Sequence, residues 1–215
     1  MNVIFDMDGL LIDSEPTWKR VEQQALQQAL GLHLSMEELK RFTGRATRDF
    51  VRLIAQHHPE LNVDQPALMR LILDMMAQQI ADAPLLPGAR ELISYLANQR
   101  VPMAIASSTP RPLIESVVER HQLPIEVITS GAEVKASKPH PEVFLQAAEQ
   151  LGVDPFECWV FEDSLNGVIA ARAASMRVVA VPVADYQPMA HFSIADRLDE
   201  DLRVSLEAIK RGELS

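Results

Sequence analysis

A single cysteine in 215 residues leaves no partner for an intrachain disulfide, and Cys158 lies in the apolar run Cys158-Trp159-Val160-Phe161, where it reads as a small buried side chain. Basic residues are also in short supply: 20 Lys and Arg stand against 30 Asp and Glu, a formal net charge of -10. No dense Lys/Arg stripe offers the counterion release that a nucleic-acid backbone rewards, so nucleic acid is excluded as a partner. A small anionic substrate remains compatible with this balance if a metal ion and one or two cationic side chains offset the charge locally. No apolar run is long enough to cross a bilayer, and Asp6 and Asp8 interrupt the first one, which rules out a signal peptide there. A soluble, cytoplasmic protein without a membrane partner is expected. Internal repeats and low-complexity segments are missing as well. What is present is 47% hydrophobic and 23% charged residues, enough to bury a sizeable core without staples.

The length suits one α/β domain or a core with an inserted unit. Val3-Ile4-Phe5 is a β-favouring run that stops at Asp6-Met7-Asp8-Gly9, as a buried strand ending in a polar loop does. From about Glu15 to Ala83 the pattern is helical, with Val21, Ala25, Gln28 and Leu32 along one face and Leu68, Leu71, Ile72, Met75 and Met76 along another. Pro84-Leu85-Leu86-Pro87-Gly88 then punctuates the chain. Beyond it, helices expected over Glu91–Gln99, from Pro110, over Pro141–Leu151 and over Leu165–Ala174 alternate with short runs at Met103–Ala106, Val127-Ile128, Cys158–Phe161 and Val178–Val181. This alternation predicts a parallel sheet with helices on both faces and ligands at the carboxyl ends of its strands. The acidic stretch from Asp196 to Asp201 reads as solvated surface.

Polar residues at those strand ends carry the chemistry. Asp6 and Asp8 are one residue apart and precede Gly9, which lets the backbone turn away so that both carboxylates can face one pocket. Alone, such a pair is as consistent with a cap or a solvated turn. Glu162-Asp163 closes another strand, and four converging carboxylates would repel one another unless a hard cation such as Mg²⁺ held them. Asp163 has a competing reading as a helix N-cap, a role for which Ser164 is equally placed. Ser107 ends a third strand with a hydroxyl suited to a phosphate oxygen, while Ser108 stays unassigned on the residues alone. Thr109 before Pro110 reads as an N-cap without chemistry. Lys138, between a strand and a helix, would be solvent-exposed on base rates; beside a transferring phosphoryl group it would offset charge, a role Lys135 fills only if the loop folds differently.

Asp6-x-Asp8, Ser107, Lys138 and Glu162-Asp163, in this order and each after an apolar run, resemble the haloacid dehalogenase superfamily over the whole chain, and Phe5–Glu15 is similar to its first motif in phosphatases of small metabolites. The resemblance implies an α/β fold with a Rossmann-like parallel sheet core, residues 1–14 and 85–215, and a small inserted α-helical cap, residues 15–84. It implies catalysis by Asp6 as nucleophile and Asp8 as acid and base, and Mg²⁺ held by Asp6, the Asp8 carbonyl and Asp163 with Glu162 nearby. Ser107, Ser108 and Lys138 would contact the phosphoryl group, and Trp18, Arg45 and Arg48 are the candidate cap contacts. The implied substrate is a small phosphorylated metabolite, a sugar or polyol monophosphate by resemblance to the hexitol phosphatase and 2-deoxyglucose-6-phosphatase group. A phosphomutase similar to β-phosphoglucomutase is the alternative, although Trp18 stands where such mutases carry a histidine. A non-catalytic phospho-ligand binding protein is the third reading. No oligomer signal is present, and a monomer is expected.

Overall fold

The computed structural model describes residues 1–43, 45–183 and 189–214. Its centre is strand β1 (Asn2–Phe5), whose apolar residues are fully enclosed because both faces of a parallel sheet are covered. Val3 and Phe5 point into one apolar cluster and Ile4 into the other, the period of two that a pleated strand imposes. Burying a side chain such as Phe5 contributes about 1.5–3 kcal/mol.

Strands β2 (Met103–Ser107), β3 (Val127–Ser130), β4 (Cys158–Glu162), β5 (Arg177–Ala180) and β6 (Arg197–Leu198) complete a parallel sheet in the order β3-β2-β1-β4-β5-β6. The expected α/β class is therefore found. Phe5 pairs with Ile105 on one side and Phe161 on the other, so the residues that follow these strands emerge along one edge. The chain steps outward from β1 to β3 and then returns to place β4 on the other flank of β1. The crevice at that reversal is where doubly wound sheets receive ligands.

Between β1 and β2 come α1 (Glu15–Leu30), α2 (Met36–Leu39), α3 (Thr47–His57), α4 (Gln65–Ala77) and α5 (Ala89–Asn98). Helix α1 packs on α2 and α4, and α4 also on α3. Its buried stripe is Trp18, Val21, Ala25 and Leu26, rather than one continuing to Gln28 and Leu32. Gly31, at φ 65, ends the helix in a left-handed cap just before Leu32, and Gln28 is exposed. Later in the chain, α6 (Arg111–His121), α7 (Glu142–Leu151) and α8 (Leu165–Ala173) pack on the sheet, and α9 (Leu202–Lys210) packs on α5.

The acidic stretch is structural. Asp196 accepts from the Val178 N–H and Arg172, buried Asp199 accepts from Ser205 Oγ at 2.8 Å, and Asp201 caps α9. Alternating these acids with Arg197 and Leu198 hid a short edge strand from the sequence. Cys158 is buried, which pushes its thiol up to about 11 and leaves it inert at neutral pH. No described helix is long and apolar enough to cross a membrane.

Candidate active site

Asp6 follows β1 directly and keeps the ladder going, its N–H donating to the Phe161 carbonyl at 3.0 Å. Its carboxylate enters a buried cluster with Glu162 and Asp163, whose oxygens can all lie within 4.8 Å of one another. Lys138 is the counter-charge. Far from being solvent-exposed, its side chain is 2% accessible, and its three ammonium hydrogens go to Asp6 Oδ1 at 2.6 Å, Glu162 Oε1 at 2.6 Å and the Ala106 carbonyl at 2.9 Å. Burial opposes that positive charge, but the Asp6 and Glu162 carboxylates outweigh it and hold the Lys138 pKa well above the ordinary lysine range.

Glu162 is fully committed. Its other oxygen accepts from Ser164 N–H at 2.8 Å and Ser164 Oγ at 2.9 Å, and its carboxylate fills the space where a Cβ on Gly167 would sit. Ser164 caps α8 by accepting from Gly167 N–H at 3.1 Å, so Asp163 is left free of that duty. Asp163 rests instead against Gly9, whose φ of +79 and missing Cβ permit the approach. Burial first, and then the neighbouring carboxylates, raise Asp163 well above the usual carboxylate range; burial does the same to Asp6 against the pull of Lys138.

These residues fit a hard divalent cation. Three buried carboxylates face one ammonium, and Asp6 Oδ2 and the Asp163 carboxylate accept no hydrogen bond among the described residues. Oxygen donors with uncompensated negative charge are what Mg²⁺ requires.

Asp8 is held by four donors. Oδ1 accepts from Ser14 Oγ and Trp18 Nε1, both at 2.7 Å, and Oδ2 from Ser107 Oγ at 3.1 Å and Thr109 Oγ1 at 2.8 Å. The two oxygens differ chemically. An indole N–H can only donate, which keeps Oδ1 an acceptor, whereas the hydroxyls at Oδ2 can turn and accept a proton carried there.

Helix α1 also presents Glu15, Lys19 and Glu22 to the same cavity, joined by Arg45 and Thr47. Lys19 donates to Glu22 Oε2 at 3.3 Å and lies 3.6 Å from Glu15 Oε2. Burial raises Glu15 and pushes Glu22 up to about 7, with Lys19 opposing in both cases.

Residues 3–181 match the family model described as haloacid dehalogenase-like hydrolase. The chain belongs to that family. Hexitol phosphatase B of Escherichia coli (strain K12) is 36% identical to it over 197 residues, covering 90% of this chain and 88% of that protein. Among solved structures, CbbY from Rhodobacter sphaeroides in complex with phosphate superposes with a TM-score of 0.83 at 25% identity, over 94% of each chain. A β-phosphoglucomutase from Clostridium difficile shares the fold, with a TM-score of 0.84 at 19% identity over 98% of this chain and 95% of that one. This haloacid dehalogenase-like hydrolase is a phosphoric monoester hydrolase with sugar-phosphate phosphatases among its relatives.

In this hydrolase the structure brings Asp6, Asp8, Ser107, Ser108, Lys138 and Asp163 to one cavity, with Glu162 packed behind them, and Trp18 and Arg45 line the same cavity. Arg48 is elsewhere: it lines a separate groove with Val51, Val63 and Asp64, because consecutive residues of a helix point about 100° apart, which turns it away from Thr47. Trp18 touches Asp8, a contact that orients the carboxylate as well as bounding the cavity. Thr109 is not the N-cap of α6, a position held by Pro110; its hydroxyl is spent on Asp8. Sequence reasoning also passed over Ser14, Glu15, Lys19 and Glu22. The spacing of Glu15, Trp18, Lys19 and Glu22 along one helical face was a signal, since polar residues in a buried stripe call for a reason.

Proposed function

We propose that this protein is a Mg²⁺-dependent phosphatase of small phosphorylated metabolites, sugar or polyol monophosphates, working through an aspartyl-phosphate on Asp6. Asp6 attacks phosphorus through one carboxylate oxygen while the P–O bond to the substrate oxygen breaks, and Asp8 gives its Oδ2 proton to the departing alkoxide. Asp8, now ionised, takes a proton from the water that attacks the phosphoryl group, releasing inorganic phosphate and regenerating Asp6. Lys138 holds the nucleophile in place and offsets charge building on the phosphoryl oxygens, to which Ser107 and Ser108 present hydroxyls. Asp6 and Asp163, with the Asp8 carbonyl, are the residues to hold Mg²⁺, and Glu162 acts behind them by fixing Lys138. When bound, the cation supplies positive charge for the phosphoryl oxygens.

The observation that carries this reading is the contrast between the two aspartates. Asp6 is ion-paired on one oxygen and free on the other, while Asp8 is oriented by four donors of which two can release it to carry a proton. A cavity of about 40 Å³ has room for a few waters and not for a hexose phosphate, which favours residues 15–84 acting as a cap that opens to admit substrate. A cytoplasmic location belongs to the same proposal, supported by the buried, unpaired Cys158.

The test is inorganic phosphate release from a panel of sugar and polyol phosphates with Mg²⁺, with Asp6→Asn and excess EDTA as controls. Release that both controls abolish is expected; full activity in either refutes the mechanism. An isomerised sugar phosphate without release would assign the protein to the phosphomutases.

A further inference from the structure

The cavity wall on α1 contains a polar cluster that the reaction above does not use. Glu15, Lys19 and Glu22 have relative exposures of 5%, 5% and 7%, and each lines the cavity containing Asp6 and Asp8. A fully satisfied buried ammonium has a close partner for each hydrogen, as Lys138 has with three at 2.6–2.9 Å. The α1 cluster is looser. Among the described residues Lys19 makes one hydrogen bond, at 3.3 Å, and its approach to Glu15 is 3.6 Å. Glu15 Oε2 accepts from Thr43 Oγ1 at 3.4 Å, while Glu15 Oε1 and Glu22 Oε1 face no donor among the described residues. Acceptors and ammonium hydrogens left without close partners, on the lining of this cavity and open to it rather than sealed in the core, are groups available to a ligand.

We propose that Glu15, Lys19 and Glu22 form a hydroxyl-reading subsite that takes the polyhydroxyl body of a sugar or polyol monophosphate and rejects a second phosphate. The proposal rests on the phosphatase reading and adds to it the residues that recognise the hydroxyl-bearing part of the substrate and the exclusion of bisphosphates. A hydroxyl both donates and accepts, so a run of them satisfies the free carboxylate oxygens and the spare ammonium hydrogens together. A second phosphate at neutral pH is chiefly an acceptor. The cluster carries one net negative charge with both carboxylates ionised, and Glu15 alone still balances Lys19 when Glu22 is protonated. Arg45, which also lines the cavity, is exposed and its pull is screened. The same wall disfavours phosphomutase chemistry, because passing the phosphoryl group from Asp6 to a second hydroxyl of a monophosphate makes a bisphosphate in this cavity.

The experiment compares kcat/KM with Mg²⁺ at about pH 8, where Glu22 is largely ionised, for a hexitol monophosphate, a ketohexose bisphosphate and p-nitrophenyl phosphate, which has no hydroxyls. Glu22→Met should lower the ratio of hexitol monophosphate to p-nitrophenyl phosphate by roughly 10- to 100-fold, the range for a buried hydrogen bond to a charged group. Glu22→Gln, which keeps the shape and removes the charge, should raise the ratio of bisphosphate to monophosphate by about tenfold. The inference is overturned if wild-type protein hydrolyses the bisphosphate as well as the monophosphate, if it accepts p-nitrophenyl phosphate alone, or if both variants keep wild-type ratios within about twofold. Those results leave the phosphatase reading intact. Failure of the wild type to release phosphate from any of the three esters refutes that reading and the subsite with it.

Discussion

Lys138→Met is the substitution whose consequences the structure quantifies best. Methionine matches the length of the lysine stem and packs on Phe144, over whose ring the ammonium now sits at 4.7 Å, so what is lost is charge rather than volume. Two carboxylates bonded at 2.6 Å are left behind with side-chain exposures of 8% for Asp6 and 0% for Glu162. Removing one partner from a buried ion pair costs about 3–5 kcal/mol. For a chain of this size, each kcal/mol moves the melting temperature by about 2–4 °C, so a fall of roughly 6–20 °C is expected. The lysine pKa is raised above its ordinary value of 10.5 in the fold. Its contribution is therefore complete below that value and lost only as pH rises through the folded pKa, and a melt at neutral pH captures all of it. Circular dichroism melts in EDTA keep any cation from substituting for the ammonium. Phosphate release by the same variant should fall by at least about 10²-fold, as expected for loss of preorganised charge at the transition state. A melting temperature within about 2 °C of wild type would refute the view that Lys138 neutralises this cluster.

Gly167→Ala should destabilise by about 1–3 kcal/mol in a urea titration, because the new methyl occupies the place of the Glu162 carboxylate; the gain of about 1 kcal/mol usual for this change in a helix would contradict that packing. Glu22→Gln should be the more stable protein at alkaline pH. Its folded pKa of about 7 lies above the ordinary 4.5, so ionised Glu22 costs up to about 3 kcal/mol above that window and nothing below it. A stability difference that does not change with pH would count against it, and a gain matched by lost substrate selectivity would mark a stability–function trade-off. Trp18→Phe removes the 2.7 Å donor to Asp8 and should lower kcat by roughly 10- to 100-fold with KM little changed; a change in KM alone would make Trp18 a substrate contact instead.

How much of this was legible in advance differs from residue to residue. The βαβ alternation was readable because strand and helix periods are local, and so was the placing of Asp6, Ser107 and Asp163 after apolar runs, since parallel strands bring such ends to one edge. The exact ends of helices were less so: Leu32 looked continuous with α1 until the left-handed turn at Gly31 cut it off. Base rates put Lys138 in solvent, and only partners 132 and 24 residues away bury it. The edge strand Arg197–Leu198 has no hydrophobic alternation to betray it, and exists because β5 offers it a ladder.

The sequence by itself determined the fold class, the family and the residue types at the candidate site, because periodicity and motif spacing are properties of neighbouring residues. Tertiary structure alone decided that Thr109 serves Asp8, that Arg48 lines a separate groove while Arg45 lines the cavity, and that Glu15, Lys19 and Glu22 line the cavity too. These depend on which face of a helix meets a loop from another part of the chain. Burial and hydrogen-bond partners of that kind come from the packing of distant segments, and no local pattern encodes them.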